Sequence, residues 1–157
     1  MTLKYDELMD KIEVTDAMRA RILTRVSGAA KKKSAARRWA LADAVGFPVS
    51  EATELPFEPL TVHYTSYWGQ MAEISYEAGD QTAELRKSPG TEENSGDWTE
   101  YPATEQLTIG EVSVELRGDA QDAYTLAVWT DGQYAYSLRL SQGQTAEVWQ
   151  QIIMGVQ

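Results

Sequence analysis

The sequence predicts an α+β domain, an antiparallel sheet of six to eight strands with a C-terminal helix packed on it and N-terminal helices before it. Three observations carry this. From Leu60 onward, apolar residues recur with a period of two and turn residues separate the runs. Before Leu60 and after Thr145, the apolar spacing is helical. The charge also breaks at Trp39. Residues 1–39 hold ten Lys/Arg and five Asp/Glu, a formal +5, whereas residues 40–157 hold four and nineteen, a formal −15. Three segments follow: a basic helical leader over 1–39, a short helix and Pro-containing connector over 40–59, and a β domain with its C-terminal helix over 60–157.

In the leader, Tyr5, Leu8, Met9 and Ile12 recur at helical spacing and predict a short helix over 3–12. Thr15 caps a second helix, with Asp16 in its first turn. Met18, Ile22, Val26 and Ala29 form one narrow stripe on it, suited to a partner surface. Small residues and lysines follow, up to Lys31-Lys32-Lys33-Ser34-Ala35-Ala36-Arg37-Arg38-Trp39, a cluster of the kind that flanks the cytoplasmic end of a membrane helix. A helix over 40–45 should stop at Gly46, with Pro48 just beyond. Pro48, Pro56 and Pro59 make 47–59 an extended connector, pinned by Phe47, Leu55 and Phe57.

The strands read as alternations. Leu60, Val62 and Tyr64 alternate with Thr61, His63 and Thr65; Ala72, Ile74 and Tyr76 with Glu73 and Ser75; Ala83 and Leu85 with Glu84 and Arg86. Leu107-Thr108-Ile109 is a short strand turned by Gly110 into Val112, Val114 and Leu116. Ala78-Gly79-Asp80 and Gly118-Asp119 read as turns, and the polar residues 88–104 as the longest loop. Asp131-Gly132 predicts a two-residue type I′ hairpin that sets Thr130 opposite Gln133 and Trp129 opposite Tyr134. Both faces of that hairpin are substantially apolar, so it should be central and covered on both sides. Thr145 caps a last helix over about 145–154, with Val148, Trp149, Ile152 and Ile153 facing the sheet.

Composition excludes several roles. A chain of 157 residues with no cysteine has no disulfide, thiolate nucleophile or Cys-based metal site. A net charge of −10 argues against nucleic-acid binding, which needs a basic surface. The apolar runs are four or five residues long, well short of the roughly twenty of a membrane span, so the chain as written reads as soluble and without one. Asp6, Glu7 and Asp10 interrupt any signal-peptide pattern. There is no Walker loop and no Gly-x-Gly-x-x-Gly, so no cofactor is expected. His63, the only histidine, reads as a surface residue rather than a catalyst. Glu92, Glu93 and Asp97 match no EF-hand spacing and read as a solvated acidic loop rather than a metal site. Tyr67, Trp68, Trp98 and Tyr101 lie in turns and loops. They form either an aromatic platform for a sugar or peptide or anchors that tie loops to the core.

Two stretches carry a resemblance. Tyr5-Asp6-Glu7-Leu8-Met9-Asp10-Lys11-Ile12 through Thr15-Asp16-Ala17-Met18-Arg19-Ala20-Arg21-Ile22-Leu23 resembles the cytoplasmic leader of membrane-anchored proteins of Gram-positive Firmicutes. Arg86-Lys87, Gly90-Thr91-Glu92, Ser95-Gly96-Asp97-Trp98, Val112 to Gly118 and Ala127 to Leu138 resemble domain of unknown function 4367. The resemblance implies a parent protein in the cell membrane with the β domain extracytoplasmic, and sensing or anti-sigma roles. It supplies no catalytic residues. In similar proteins a membrane helix separates leader from domain. Here Ala40 follows Trp39 directly, an abrupt join that reads as a deleted span, whether natural or engineered.

The expected function is therefore a non-enzymatic sensor or interaction domain of a membrane-anchored regulator. Its leader would meet a cytoplasmic protein through Leu8, Ile12, Met18 and Ile22. One alternative is a cell-wall glycan or peptide binder using Tyr67, Trp68, Trp98 and Tyr101. A second is a hydrolase using carboxylates, although nineteen acids place some pair at a suitable distance in any such domain.

Overall fold

The alternating segments become seven antiparallel strands in a computed structural model that describes residues 35–156. They are β1 (Thr61–Tyr67), β2 (Met71–Ala78), β3 (Gln81–Pro89), β4 (Ala103–Ile109), β5 (Val112–Ala120), β6 (Ala123–Thr130) and β7 (Tyr134–Gln144). The sheet order is β1-β2-β3-β7-β6-β5-β4. Two three-stranded meanders thus lie on either side of β7, and residues 90–102 carry the chain from β3 to the far edge. A helix, α1, covers 35–45, and α2 (Ala146–Met154) follows β7. The chain divides into two units, Met1–Ala36 and Arg37–Gln157, and every strand belongs to the second. The helices expected at 3–12 and from Thr15, with Leu8, Ile12, Met18 and Ile22, lie outside the described residues.

The register lines up one apolar row across all seven strands: Tyr64, Ile74, Leu85, Leu138, Ala127, Leu116 and Glu105. Glu105 closes the row at the edge, where it accepts the Tyr124 hydroxyl at 2.7 Å. Ile74, Leu85, Leu116 and Leu138 are fully buried, each worth about 1.5–3 kcal/mol by area removed from water. Over this face lie Leu41 and Val45 of α1, Phe47 and Ala52 of the connector, and Trp149, Ile152 and Ile153 of α2. Thr145 caps α2 as its sequence requires, accepting the Val148 N–H at 3.3 Å. The Trp149 indole donates to the Tyr124 carbonyl at 2.8 Å, so the largest buried ring is also hydrogen-bonded. The connector is tied down at its middle: the Ala52 N–H donates to the Tyr76 hydroxyl at 2.9 Å, and the Thr53 hydroxyl donates to the Gly155 carbonyl at 2.7 Å.

Lys87 shares the apolar face and is buried. Its ammonium donates to the Pro48 carbonyl at 2.6 Å and lies 4.4 Å from the Tyr134 ring centre, with Tyr136 and Phe47 at 5.5 and 5.8 Å. Burial holds its pKa below the ordinary lysine value. A cation at a core position is tolerated because three ring faces and a carbonyl replace its water.

Four sequence readings are corrected. The β6–β7 pair runs Thr130 opposite Ala135 and Trp129 opposite Tyr136, two residues away from the expected register. The Asp131 carboxylate accepts the N–H groups of Gln133 and Tyr134 at 2.9 and 2.7 Å, which builds a four-residue loop in place of the two-residue turn. Because side chains repeat every two residues, the slip leaves the faces of residues 126–130 intact. An irregularity between Tyr124 and Leu126, however, turns Tyr124 from the Leu126 face, where alternation alone places it, to the apolar face. Helix α1 starts earlier than residue 40, because Ala35, Ala36 and the arginines are good helix formers. Leu60 lies outside β1 and is exposed. Finally, Gly118-Asp119 is not a turn. β5 continues to Ala120, and Gly118 sits at a bulge where an added Cβ would stand 2.2 Å from the Ala123 carbonyl oxygen.

Candidate functional site

The second face of the sheet is polar, and it is there that the aromatic candidates gather. One row across it reads Thr65, Glu73, Arg86, Ser137, Val128, Glu115 and Gln106. The next reads His63, Ser75, Glu84, Arg139, Leu126, Arg117 and Thr104. Residues 90–102 lie over these rows, burying Leu126, Ala135 and Ser137 beneath them. The hairpin β6–β7 is thus central and covered on both sides.

The long loop is fastened by charge and amide groups. Arg86 donates Nε to Glu73 Oε2 at 2.7 Å and Nη1 to the carbonyls of Asn94 and Ser95 at 3.2 and 2.8 Å. Arg117 donates to Glu93 and Glu115, both at 2.6 Å. Arg139 reaches Asp97 at 3.0 Å. The Asn94 amide donates to the Ser88 hydroxyl and the Ala135 carbonyl at 2.8 and 3.0 Å. Asp97 further accepts the Thr99 N–H at 2.9 Å and the Tyr101 hydroxyl. Hydrogen bonds from Thr99, then from Tyr101, bring the Asp97 pKa down to about 2. The Arg117 hydrogen bond holds Glu93 below the ordinary carboxylate range.

Between this loop and the β1–β2 hairpin opens a cleft of about 630 Å³. Tyr67, Trp68 and Met71 form one wall, Asn94, Asp97, Trp98 and Thr99 the other, with Arg86 and Arg117 among the remaining lining residues. Trp68 and Trp98 are 87% and 94% exposed. Trp68 is held out by its backbone. It and Gly69 take φ of 54° and 65°, and the Gln70 N–H donates to the Tyr67 carbonyl at 3.0 Å. That is a turn with two left-handed central residues, and only the glycine takes the conformation without steric cost. Tyr67 packs against Trp68 at 5.8 Å between ring centres, the rings tilted by 46°, and its hydroxyl donates to Glu73 at 3.1 Å. The buried Glu73 therefore positions both Tyr67 and Arg86.

No family model, curated protein or solved structure matches this chain.

The structure brings Tyr67, Trp68 and Trp98 to one cleft. Tyr101 stands behind it, half-buried on Asp97, where it anchors the loop. Leu8, Ile12, Met18 and Ile22 lie outside the described residues. His63 is exposed and faces Ser75, with Glu84 beyond the serine. The serine separates imidazole from acid, whereas a triad needs the imidazole between them. Of the acidic loop residues, Glu93 and Asp97 are bound to arginines. Among the described residues, no group of His, Asp or Glu is placed to hold a metal ion, and no helix is long and apolar enough to cross a membrane.

Sequence reading missed Glu73, Arg86, Glu93 and Arg117 as parts of the site. One signal was present: beyond Trp39 the only lysines and arginines are Arg86, Lys87, Arg117 and Arg139. All three arginines occupy the polar phase of a strand, so they share a face.

Proposed function

We propose that the β domain is a non-enzymatic recognition domain of a membrane-anchored regulator, with the cleft between Trp68 and Trp98 as its site. One observation carries the reading. Two tryptophans stand almost fully exposed beside one cleft, Trp68 on a left-handed backbone and Trp98 on a loop fastened by ion pairs. Large exposed aromatics on a rigid frame mark interaction sites. Strain of this kind persists where surrounding structure holds it and use favours it.

The carboxylates support recognition over hydrolysis. A glycosidase acid needs a raised pKa, whereas Glu93 and Asp97 are both held low by hydrogen-bond donors. In the parent protein, the leader lies in the cytoplasm and binds a protein partner through Leu8, Ile12, Met18 and Ile22, while the β domain lies outside the membrane. A cell-wall glycan or peptide is the second reading of the ligand, favoured by the aromatic composition of the same cleft.

The test is an amide-resonance titration of the whole chain with a solubilised cell-wall digest. Shifts should cluster at Arg86, Asn94, Trp98 and Arg117 and vanish in Trp68→Ala and Trp98→Ala. Shifts that ignore both substitutions, or release of new reducing ends or peptides by the protein, would overturn the reading. For the leader, Leu8→Asp and Ile22→Asp should abolish capture of the partner by a peptide of residues 1–38.

A further inference from the structure

The ion pairs also select the ligand. We infer that the cleft takes a neutral oligosaccharide, an inference that rests on the recognition reading above and narrows it. Beyond Trp39 the chain has four Lys/Arg residues, and each has its charge engaged inside the fold. Arg86 is bound to Glu73, Arg117 to Glu93 and Glu115, and Arg139 to Asp97. Lys87 is buried on the opposite face among three rings. An anionic ligand, whether phosphate, uronate or acidic peptide, would therefore have to break an existing pair and would approach a segment of formal charge −15. A cationic ligand would be drawn by the same charge, but the lining carboxylates Glu93 and Asp97 are already held by guanidiniums.

What the cleft offers instead is flat apolar area on Trp68, Trp98 and Tyr67, with neutral hydrogen-bonding groups between them. Thr99 and the backbone at Gly96 lie in the lining, whereas the Asn94 amide is spent on Ser88 and Ala135. Gly96 has φ of 65°, and a Cβ there would stand 3.0 Å from Arg86 Nη1, so a side chain at this position would crowd the cleft lining. A sugar ring has a complementary surface: an apolar C–H face to lie on an indole and a rim of hydroxyls to meet neutral donors and acceptors. The volume, about 630 Å³, falls in the range of small-ligand sites.

The experiment uses the whole chain and tetrasaccharides that differ in charge. Cellotetraose and chitotetraose are neutral, tetragalacturonate is anionic and the chitosan tetramer is cationic. Tryptophan emission is followed at 50 and 500 mM NaCl. A neutral probe should change the emission with a midpoint that moves less than twofold between the two salts. The midpoint should rise at least tenfold in Trp68→Ala and in Trp98→Ala, and Trp98→Tyr should recover most of the loss. Both side chains are exposed, so the alanine variants should keep wild-type circular dichroism. Tighter binding of a charged probe, lost at high salt and lost in the tryptophan variants, would overturn neutrality while leaving the cleft as a recognition site. Silence toward both neutral probes would overturn the saccharide assignment, and the cell-wall titration then decides the broader reading by itself.

Discussion

Arg139 Nη2 lies 3.0 Å from Asp97 Oδ2, so a residue of the sheet's middle strand holds the loop that carries Trp98. Asp97 is the hub of that contact, since it also accepts the Thr99 N–H and the Tyr101 hydroxyl. Asp97→Asn should weaken all three bonds and cost about 1–2 kcal/mol at pH 7. The pH dependence has a fixed sign. The folded pKa, about 2, lies below the ordinary value near 3.8, so the stabilisation is complete above that value and is lost as pH falls toward 2. Urea unfolding should show the gap between wild type and variant closing from pH 5 to pH 2. A gap independent of pH would show that Asp97 acts by shape alone.

Trp68 makes the opposite prediction. Its left-handed backbone costs a β-carbon residue about 1 kcal/mol relative to glycine. An 87% exposed ring recovers little of that by burial. Trp68→Gly should therefore raise stability by about 1 kcal/mol while abolishing ligand-induced emission changes. A destabilised Trp68→Gly would mean that the Tyr67 contact outweighs the strain.

Lys87 can be tested through its cage. Truncation to alanine removes the stem that packs among Phe47, Tyr134 and Tyr136, and should cost about 2–4 kcal/mol. Lys87→Met restores the volume but leaves the Pro48 carbonyl without its donor, for a smaller loss of about 1 kcal/mol. Because the folded pKa lies below the unfolded one, the charged lysine opposes folding. Stability in wild type should rise with pH as the folded group loses its proton, up to the unfolded value near 10.5. Lys87→Met should lack that rise.

At the β5 bulge, Gly118→Ala forces a carbon to 2.2 Å from the Ala123 carbonyl oxygen. The strand pair must separate, and we expect a loss of about 1–3 kcal/mol. Thermal unfolding within 1 °C of wild type would show that the bulge simply opens to admit it.

Much of the fold was legible because it rests on local patterns. The period-two runs marked most strand faces, missing the first residues of β4, which read as loop, and the face of Tyr124. Thr145 marked the start of α2 because the cap is a property of one side chain and the next three amides. The β6–β7 register was not legible. Asp131-Gly132 has the composition of a two-residue turn, but the Asp131 carboxylate captured two amides and lengthened the loop. The site was half legible. Tyr67, Trp68 and Trp98 stood out as exposed aromatics, yet 90–102 has no periodicity to say where it lies. Its place follows from Arg86, Arg117 and Arg139, whose partners Glu93, Asp97 and the Asn94 and Ser95 carbonyls are distant in sequence or unremarkable in type. Tyr101 has the same composition signal as Trp98 but points inward, because its hydroxyl finds Asp97.

The two faces of the sheet are closed by different forces. Beneath α1 and α2 the closure is apolar, and opening it exposes the core. Over the other face, residues 90–102 are held chiefly by ion pairs and amides. Water can replace such contacts, and salt weakens them. Rare local openings of that cover are therefore expected before the seven strands unpair. Its amides should exchange with solvent at a rate that rises with ionic strength, on a protein whose global unfolding temperature barely moves. One face of the sheet is then closed by contacts that salt can loosen, and the other by a core that only unfolding opens.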